Sequence, residues 1–362
     1  MSIIYFDNAA SAKPCEEAIT VFNTVIRENF ANPASLHKGG IEAEKIITQA
    51  KATILSRILP LSIRNNADLI FTSGATESNN LAIIKSVKPR GKTKIVTTAI
   101  EHPGVDNAIE QLSPQYEIVR VPPEDLNHLP DMVDENTALV SMTAVCSETG
   151  FVVNTPKIYA EIKARFVDCI VHVDAAQGFL KVPSDGDLIS ISAHKIGGFP
   201  GLGGLVVKKG VRIEPMLFGG GQQKGIRAGT EPTALIAAFA AATAVERNPD
   251  VGVLASELDY GLVTLGMKIN SDFRGNISVP EITNFSCGVK SEVMLHFLAE
   301  HGIYVSSGSA CSRGKKSRVL AAHGIPDKDI DTAIRVSFAA HNRVYEVDTF
   351  LNILEKGLKR WK

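Results

Sequence analysis

Residues 188–198 read Leu-Ile-Ser-Ile-Ser-Ala-His-Lys-Ile-Gly-Gly, an apolar run that ends in a histidine, a lysine and two glycines. The run predicts a buried strand, which would place Lys195 at the strand's carboxyl end, the edge of an open α/β sheet where ligands bind. A lysine among apolar groups can have its pKa lowered enough to form a Schiff base with a carbonyl compound. A surface lysine in a loop is the alternative that this stretch leaves open.

Short β-branched apolar runs alternate with segments of helical period through the first part of the chain. The runs lie at residues 69–72, 94–98, 117–121, 138–145, 170–173, 188–191 and 204–207. This alternation predicts βαβ units and a mostly parallel sheet that is covered on both faces. The predicted fold class is therefore α/β.

The pattern changes near residue 250 to helical stretches around shorter strands. These stretches and strands lie at residues 291–301, 344–359, 282–286 and 334–337. A chain of 362 residues also exceeds one ordinary hydrophobic core. We predict a large domain over residues 16–250 and a smaller α+β domain formed by residues 1–15 and 251–362.

Charge and cysteine content exclude several kinds of protein. Lys and Arg number 38 against 39 Asp and Glu, without a long block of one sign, so no nucleic-acid or membrane surface is expected. The five cysteines form no C-x-x-C pair, which argues against a disulfide framework or a zinc site. The apolar run at 234–245 is far shorter than the ~20 residues that a membrane span needs. We therefore expect a cytoplasmic protein without a bound metal.

Residues 71–80, Phe-Thr-Ser-Gly-Ala-Thr-Glu-Ser-Asn-Asn, put small hydroxyl residues between a strand end and a helix. A helix that begins there aims free N–H groups and its positive dipole end at an anion, and the hydroxyls add donors. An ordinary capping box, with Thr or Ser followed by Glu, explains the same residues equally well.

Two further stretches follow predicted strands. Ile-Glu-His-Pro at 100–103 contains His102, which could stack on a planar ring or cap the next helix. Val-His-Val-Asp-Ala-Ala-Gln at 171–177 places Asp174 just past a buried strand, where a carboxylate can keep a ring nitrogen protonated, although an N-cap aspartate is the common alternative. The chain between Asp174 and Lys195 is long enough for about one helix and one strand. Anion donors, a carboxylate and a lysine can thus share one sheet edge, as pyridoxal phosphate requires.

The order of these motifs is similar, nearly end to end, to that of the cysteine desulfurase family of the NifS/IscS type, which has the class V aminotransferase fold. Other stretches that carry the resemblance are Asp-Asn-Ala-Ala at 7–10, Asn-Pro-Ala-Ser-Leu-His at 32–37, Gly-Gly-Gly-Gln-Gln through Arg-Ala-Gly-Thr at 219–230, Ser-Ser-Gly-Ser-Ala-Cys-Ser at 306–312 and Ile-Arg-Val-Ser at 334–337. The stretch at 306–312 is the most specific, because it matches the family's sulfur-accepting loop. The resemblance implies fold type I, with a mostly parallel central sheet in the large domain and a smaller α+β domain.

By this resemblance the chain binds pyridoxal phosphate through Lys195. The catalytic residues implied are Lys195, Cys311 and His102. The residues implied at the cofactor are Ala75, Thr76, His102, Ser147, Asp174, Gln177, Ser192, His194, Lys195 and Thr230. Among them, Asp174 faces the ring nitrogen and Gln177 the ring hydroxyl. Thr230 reaches the phosphate of the neighbouring subunit in the family, which implies a homodimer.

The resemblance also implies the substrate and the reaction. Arg335 would clamp the carboxylate of L-cysteine as a bidentate fork, with Asn32 as a second substrate contact. Cys311, as a thiolate, would take the substrate sulfur and leave L-alanine. The resulting persulfide would pass to an acceptor protein, such as an iron–sulfur scaffold or a tRNA-thiolation relay.

Two other functions stay open at this point. A selenocysteine lyase or an aminotransferase on the same fold is disfavoured by the Cys311 loop, because those reactions need no sulfur relay. A non-catalytic interaction protein is disfavoured because the chain keeps Lys195, Asp174, His102 and Arg335 together.

The chain departs from the family pattern at Cys146 and Ser147, which stand where the family commonly has two asparagines. The second asparagine lies by the cofactor and substrate in the family, so we expect a changed rate or substrate preference, with the Cys146 thiol nearby. The remaining cysteines, Cys15, Cys169 and Cys287, are expected to be small buried residues.

Overall fold

The computed structural model describes residues 3–86, 91–247, 249–272, 275, 277–307 and 316–361. Its strands are β1 (Ile4–Tyr5), β2 (Ala67–Thr72), β3 (Lys94–Thr98), β4 (Glu117–Val121), β5 (Thr137–Thr143), β6 (Ile170–Asp174), β7 (Leu188–Ser192), β8 (Gly203–Lys208), β9 (Lys268–Ile269), β10 (Ile282–Ser286), β11 (Ile303–Tyr304), β12 (Ser306–Ser307) and β13 (Ala333–Ser337). Its helices are α1 (Glu16–Glu28), α2 (Lys38–Ile58), α3 (Leu61–Arg64), α4 (Ala75–Ile84), α5 (Pro103–Glu110), α6 (Thr155–Arg165), α7 (Thr233–Ala242), α8 (Val251–Thr264), α9 (Ser291–Glu300), α10 (Arg318–Ala322), α11 (Asp327–Ile330) and α12 (Val344–Trp361). Among these described helices, none is both long and apolar enough to cross a membrane.

The central sheet contains the seven strands that the apolar runs predicted, in the order β2-β8-β7-β6-β5-β3-β4. Strand β8 is antiparallel to both of its neighbours, and the other neighbouring pairs are parallel. The predicted mostly parallel α/β sheet is therefore confirmed. Strand β5 ends at Thr143, two residues before the predicted end, because Val145 leaves the sheet and bridges to Val152.

Helices cover both faces of this sheet, and consecutive strand residues belong to different apolar cores. Ile189 belongs to a core that includes side chains of α2, α6 and α7, whereas Leu188 belongs to one that includes side chains of α4. Val140 and Leu139 of β5 divide in the same way, the second packing with α4 and α5. A strand that is buried on both faces needs apolar residues at every position, which is why the sequence shows continuous runs here.

The strand directions bring the carboxyl ends of β2, β3, β5, β6 and β7 to one edge of the sheet, since β2 and β7 flank the reversed β8. The segments that leave this edge are 73–76, 99–102, 144–150, 175–177 and 193–195. Every sequence motif that was assigned to the cofactor from the first 200 residues therefore begins at the same edge.

The last part of the chain forms a four-stranded antiparallel sheet, β12-β13-β10-β9, and strand β11 pairs in parallel with β1. An apolar core joins Ile4 and Phe6 to side chains of α8, α9 and α12. The first residues of the chain thus pack with its last third. The division into domains at residues 1–15, 16–250 and 251–362 stays a prediction.

Candidate active site

Lys195 lies in the 3₁₀ turn Ala193–Lys195 that directly follows β7. Its Nζ donates hydrogen bonds to the carbonyl oxygens of Ala9, at 2.6 Å, and Ala10, at 2.9 Å. These carbonyls belong to the 7–10 motif, so the amino-terminal segment crosses the carboxyl edge of the sheet. The two carbonyl oxygens therefore hold the lysine amine at this edge.

Asp174 ends the neighbouring strand β6 and is only 4% exposed. Its carboxylate accepts hydrogen bonds from Asn79 Nδ2 at 2.8 Å and from the Ala176 N–H at 2.9 Å. Gln177, one turn further on, donates from Nε2 to the Ala9 carbonyl at 2.7 Å, the same oxygen that Lys195 binds. The structure therefore brings Asp174, Gln177 and Lys195 together, as the sequence predicted.

The segment before α4 has both features that its sequence allowed, a helix cap and backbone donors for an anion. Glu77 caps the helix start, because its carboxylate accepts the Ser73 N–H at 2.7 Å and the Arg227 Nε–H at 2.9 Å. The N-cap residue is Gly74, which supplies no side-chain oxygen. Within the described structure, the N–H groups of Ala75 and Thr76 meet no acceptor. The capping role of Glu77 thus leaves the anion-binding donors available.

Ser192 ends β7 at the same edge, and its hydroxyl is buried without a hydrogen-bond partner among the described residues. A buried hydroxyl without a partner is costly, unless a ligand completes its hydrogen bonds. Backbone lies very close at this point, since a Cβ on Gly203 would come within 2.6 Å of the Gly74 Cα. A helix amino terminus with free donors and an unpartnered buried hydroxyl together fit a phosphate group.

Two histidines at this edge have pKa values below their usual range. The pKa of His102 is lowered mainly by burial, with the charges of Lys195 and Arg335 acting in the same direction and Asp174 opposing them. Burial and the neighbouring Lys195 lower the pKa of His194 to about 4. His102 also caps α5, as its Nδ1 accepts the Gly104 N–H at 3.0 Å. Both imidazoles are therefore neutral at neutral pH and can stack or accept without adding charge.

Arg335 lies in the middle of β13 and is 6% exposed. Its Nη1 donates to the Ser147 carbonyl at 2.8 Å, and its Nη2 donates to Asp7 Oδ1 at 2.9 Å. The Nε–H is buried and has no partner among the described residues. A buried guanidinium with donors to spare, held in place on two sides, fits the carboxylate of a small substrate.

Cys146 is 1% exposed and packs in the apolar core that also contains β7 and α7 side chains. Burial raises the pKa of its thiol to about 11. The thiol that sequence analysis noted near the site is therefore protonated at neutral pH and buried in the core. Of the other cysteines, Cys169 and Cys287 are buried as expected, whereas Cys15 is half-buried because its sulfur caps α1 at the Ala18 N–H, 3.4 Å away.

Two predicted residues, both described by the structure, are not brought into contact with this group of side chains. Asn32 is exposed, and its Oδ1 accepts the Ala34 N–H of its own loop at 2.9 Å. Thr230 is exposed in the loop that follows the 3₁₀ turn Gln222–Gly225. Cys311 lies outside the described residues. The roles of these three residues stay predictions.

Comparison with known proteins agrees with this geometry. The family model for aminotransferase class-V matches residues 4–350. A cysteine desulfurase of Trichormus azollae is 32% identical over 381 residues, covering 99% of this chain and 94% of that protein. The cysteine desulfurase IscS 1 of Archaeoglobus fulgidus is 31% identical, covering 98% of this chain and 97% of that protein. The chain belongs to the class-V aminotransferases, and within them to the pyridoxal phosphate-dependent cysteine desulfurases.

Solved structures of this family have the same fold. A NifS-like protein superposes with a TM-score of 0.90 at 31% identity and covers 99% of this chain and 100% of its own. A NifS-like protein from Rickettsia africae superposes with a TM-score of 0.85 at 26% identity and covers 99% of both chains. The predicted class V aminotransferase fold is confirmed.

Three further residues of this cysteine desulfurase, none of them predicted from the sequence, lie in the site. Asn79 fixes the Asp174 carboxylate, and Asp7 holds Arg335. Glu101 is completely buried beside His102 and accepts the Thr98 hydroxyl at 2.6 Å and the Thr143 N–H at 2.8 Å. Each of the three lies inside a stretch quoted above as a motif. Polar residues within those stretches that had no assigned role could therefore have pointed to them.

Proposed function

We propose that this desulfurase takes sulfur from L-cysteine, releases L-alanine and holds the sulfur as a persulfide on Cys311. The observation that carries the proposal is the unpartnered Ser192 hydroxyl beside the Lys195 turn, next to the free donors of α4. The free donors and the Ser192 hydroxyl match the phosphate of the cofactor, and Lys195 matches its covalent linkage. Asp174, one strand away, matches its protonated ring nitrogen. A solved structure titled "SspA in complex with cysteine", 27% identical with a TM-score of 0.79, supports L-cysteine as the substrate.

The cofactor would be held along the carboxyl edge of the sheet. Its phosphate would be bound by the residues at the start of α4 and around the Lys195 turn, namely Ala75, Thr76, Ser192 and His194. Asp174 would keep the ring nitrogen protonated, Gln177 would bind the ring hydroxyl, and His102 and Ser147 would lie against the cofactor. Bound pyridoxal phosphate supplies an electron sink for charge that develops on the substrate.

Lys195 serves as the base that removes the proton from the substrate Cα. In the structure its Nζ donates to the carbonyls of Ala9 and Ala10, which keeps the side chain at the edge rather than in solvent. Gln177 shares the Ala9 carbonyl, so movement of Lys195 and the orientation of Gln177 are linked.

Arg335 binds the substrate carboxylate through guanidinium donors that the protein leaves available. Asp7 and the Ser147 carbonyl fix the plane of the guanidinium, so little rotamer freedom is lost when substrate binds. We further propose Asn32 as a second substrate contact.

The sulfur step conserves atoms and electrons without an external oxidant or reductant. The substrate Cβ–S bond breaks with its electron pair left on Cβ, which takes a proton and becomes the methyl group of alanine. The Sγ thiolate of Cys311 forms the new S–S bond to the departing sulfur. The persulfide then holds one transferable sulfur atom.

We also propose that the enzyme is a cytoplasmic homodimer in which Thr230 reaches the phosphate of the partner subunit. Each subunit would have a large domain of residues 16–250 and a small domain formed by residues 1–15 and 251–362. An acceptor protein, either an iron–sulfur scaffold or a tRNA-thiolation relay, would receive the sulfur. Reduced cysteines support the compartment, since none of the four cysteines in the described residues forms a disulfide.

Replacement of Cys311 by serine tests the proposal. The variant Cys311→Ser should bind pyridoxal phosphate and respond spectrally to L-cysteine, because neither step uses the thiol, but it should form no persulfide. Alanine release and mass-spectrometric mapping of persulfides are the measurements, with Cys146→Ala as the matched control. Turnover that persists in Cys311→Ser and disappears in Cys146→Ala would move the chemistry to Cys146 and overturn the assignment.

A further inference from the structure

The side chain of Lys181 contacts a residue of the cofactor edge. Its Nζ donates to Gln177 Oε1 at 3.2 Å, four residues earlier in the turn that follows β6. Gln177 is 4% exposed, and its Nε2 donates to the Ala9 carbonyl at 2.7 Å, the oxygen that Lys195 also binds. Hydrogen bonds therefore connect Lys181, through the Gln177 amide, to the carbonyl beside Lys195.

The two partners of Gln177 select one orientation of its amide. The oxygen end accepts from an amine and the nitrogen end donates to a carbonyl, so both ends are matched. Rotation of the amide by about 180° would put Nε2 against the Lys181 donor and Oε1 against the Ala9 carbonyl oxygen, and both contacts would become repulsive. The second hydrogen of Nε2 has no acceptor among the described residues. It is available to the ring hydroxyl that the proposed function assigns to Gln177.

The backbone of this turn is held independently of the Lys181 side chain. The Lys181 N–H donates to the Gly178 carbonyl at 2.9 Å, and the Lys181 carbonyl accepts from Arg247 Nη1 at 3.3 Å. Leu180 has a φ of +65°, a left-handed conformation that is strained for a leucine and persists only where the surrounding structure enforces it. Backbone contacts therefore present the lysine to Gln177, and its amine can be removed without removing those contacts.

The surroundings of the Lys181 amine should tolerate its removal. Burial lowers the pKa of Lys181, with the charges of Arg247 and Arg335 acting in the same direction and that of Glu281 opposing them. Glu281 is already paired with Arg247, whose Nη2 lies 2.6 Å from Glu281 Oε2, so loss of the amine leaves no carboxylate without a partner. Lys181 also lines a cavity of about 440 Å³, which gives a different side chain room.

We propose that Lys181 is a positioning residue for the cofactor, which fixes the Gln177 amide so that one N–H stays directed at the ring hydroxyl. It acts through Gln177 rather than by touching the cofactor. This inference rests on the proposed function, which assigns Gln177 to the ring hydroxyl, and adds the residue that orients it. A donor at the ring oxygen stabilises the ionised oxygen, so the visible absorption of bound pyridoxal phosphate reports the orientation of the amide.

The test compares Lys181→Met with Lys92→Met. Lys92 is a matched control, because its half-buried side chain also donates one hydrogen bond, from Nζ to the Thr137 carbonyl at 3.0 Å, next to the amino end of β3 and away from the site. We expect Lys181→Met to weaken binding of pyridoxal phosphate to the apo-protein about 2- to 10-fold, the effect of one lost hydrogen bond. The pH midpoint of the bound cofactor's visible absorption should rise by about half a pH unit to one pH unit. Lys92→Met should match wild type in both measurements.

A double-mutant comparison separates positioning from a general structural effect. Gln177→Ala removes the amide, so adding Lys181→Met to it should change neither measurement further, because the lysine acts through that amide. Lys181→Arg can still donate to Gln177 and should recover part of the loss. If Lys181→Met does not fold, Lys181→Gln takes its place with the same expected shifts, since its side chain is polar but one atom shorter than that of lysine.

The proposal is overturned if Lys181→Met binds and titrates the cofactor as wild type does. It is also overturned if the effect of Lys181→Met adds in full to that of Gln177→Ala, because the lysine would then act by another route. Failure of the desulfurase function itself is distinguishable, since both measurements are made without L-cysteine, whereas persulfide formation in the wild-type protein and in Cys311→Ser decides that function.

Discussion

The cofactor edge of the sheet and the junction at the start of α10 are held in different ways. At the sheet edge, Asp174 is 4% and Ser192 is 1% exposed, and both end strands whose register is fixed by their neighbours. At the junction, Arg318 is 43% exposed and is held by side-chain contacts to backbone carbonyls. Groups that require a dry, fixed environment are thus built into the sheet, whereas the start of α10 is attached through side-chain contacts that can change separately.

Replacement of Lys195 by alanine should give the largest effect on the sheet-edge side of this comparison. Without its amine, the protein loses both the covalent link to the cofactor and the base at the substrate Cα, so visible cofactor absorption and alanine release should both disappear. Absorption spectra after borohydride reduction, followed by peptide mapping, measure the link. Cofactor fixed on another lysine would show that the sheet-edge assignment is wrong.

Replacement of Arg335 tests whether a buried residue from β13 acts with the sheet edge. Arg335→Ala should weaken L-cysteine binding by about 2–5 kcal/mol, because the substrate carboxylate and the Asp7 carboxylate both lose their partner. Cofactor content should not change. Arg335→Lys should recover only part of the binding, since a lysine cannot act as a fork. A KM for L-cysteine equal to that of wild type in Arg335→Ala would place the carboxylate elsewhere.

Glu101 connects the two regions, because its carboxyl is buried at the sheet edge while its carbonyl accepts from Arg318. Burial raises the pKa of this carboxyl to about 8, with the Asp174 charge adding to the effect and the Thr98 hydroxyl, the Thr143 N–H and Arg318 opposing it. Between the unfolded value near 4.5 and the folded value, the folded state binds the extra proton. The free energy of unfolding should therefore fall as pH rises through this range, by at most about 1.4 kcal/mol per pH unit.

The matched variant Glu101→Gln keeps the shape of the protonated carboxyl but cannot ionise. Its stability advantage over wild type should grow from pH 5 to pH 8, which urea unfolding at several pH values measures. Activity should be affected least by this change, since it alters stability without removing a reacting group. Parallel pH profiles for the two proteins would show that Glu101 ionises as an exposed carboxyl does.

Much of the fold was predictable because a strand buried on both faces must be apolar at every position. The runs at 94–98 and 117–121 match β3 and β4 exactly at both ends, while the run at 138–145 was too long by two residues. Hydrophobicity alone could not identify Thr143 as the end of β5, because Val145 is as buried in its bridge to Val152 as a strand residue would be.

The sequence by itself determined the class-V aminotransferase fold, the family and the residues at the carboxyl edge, because each of these depends on local patterns that recur in a fixed order. Lys195, Asp174 and Gln177 were all found in this way. Tertiary structure alone decided which distant groups complete the site. The pairs Asp7–Arg335, Asn79–Asp174 and Ser317–Glu148 join parts of the chain that no spacing rule relates. It also decided that Cys146 is buried and protonated, since burial depends on what the rest of the chain packs around it.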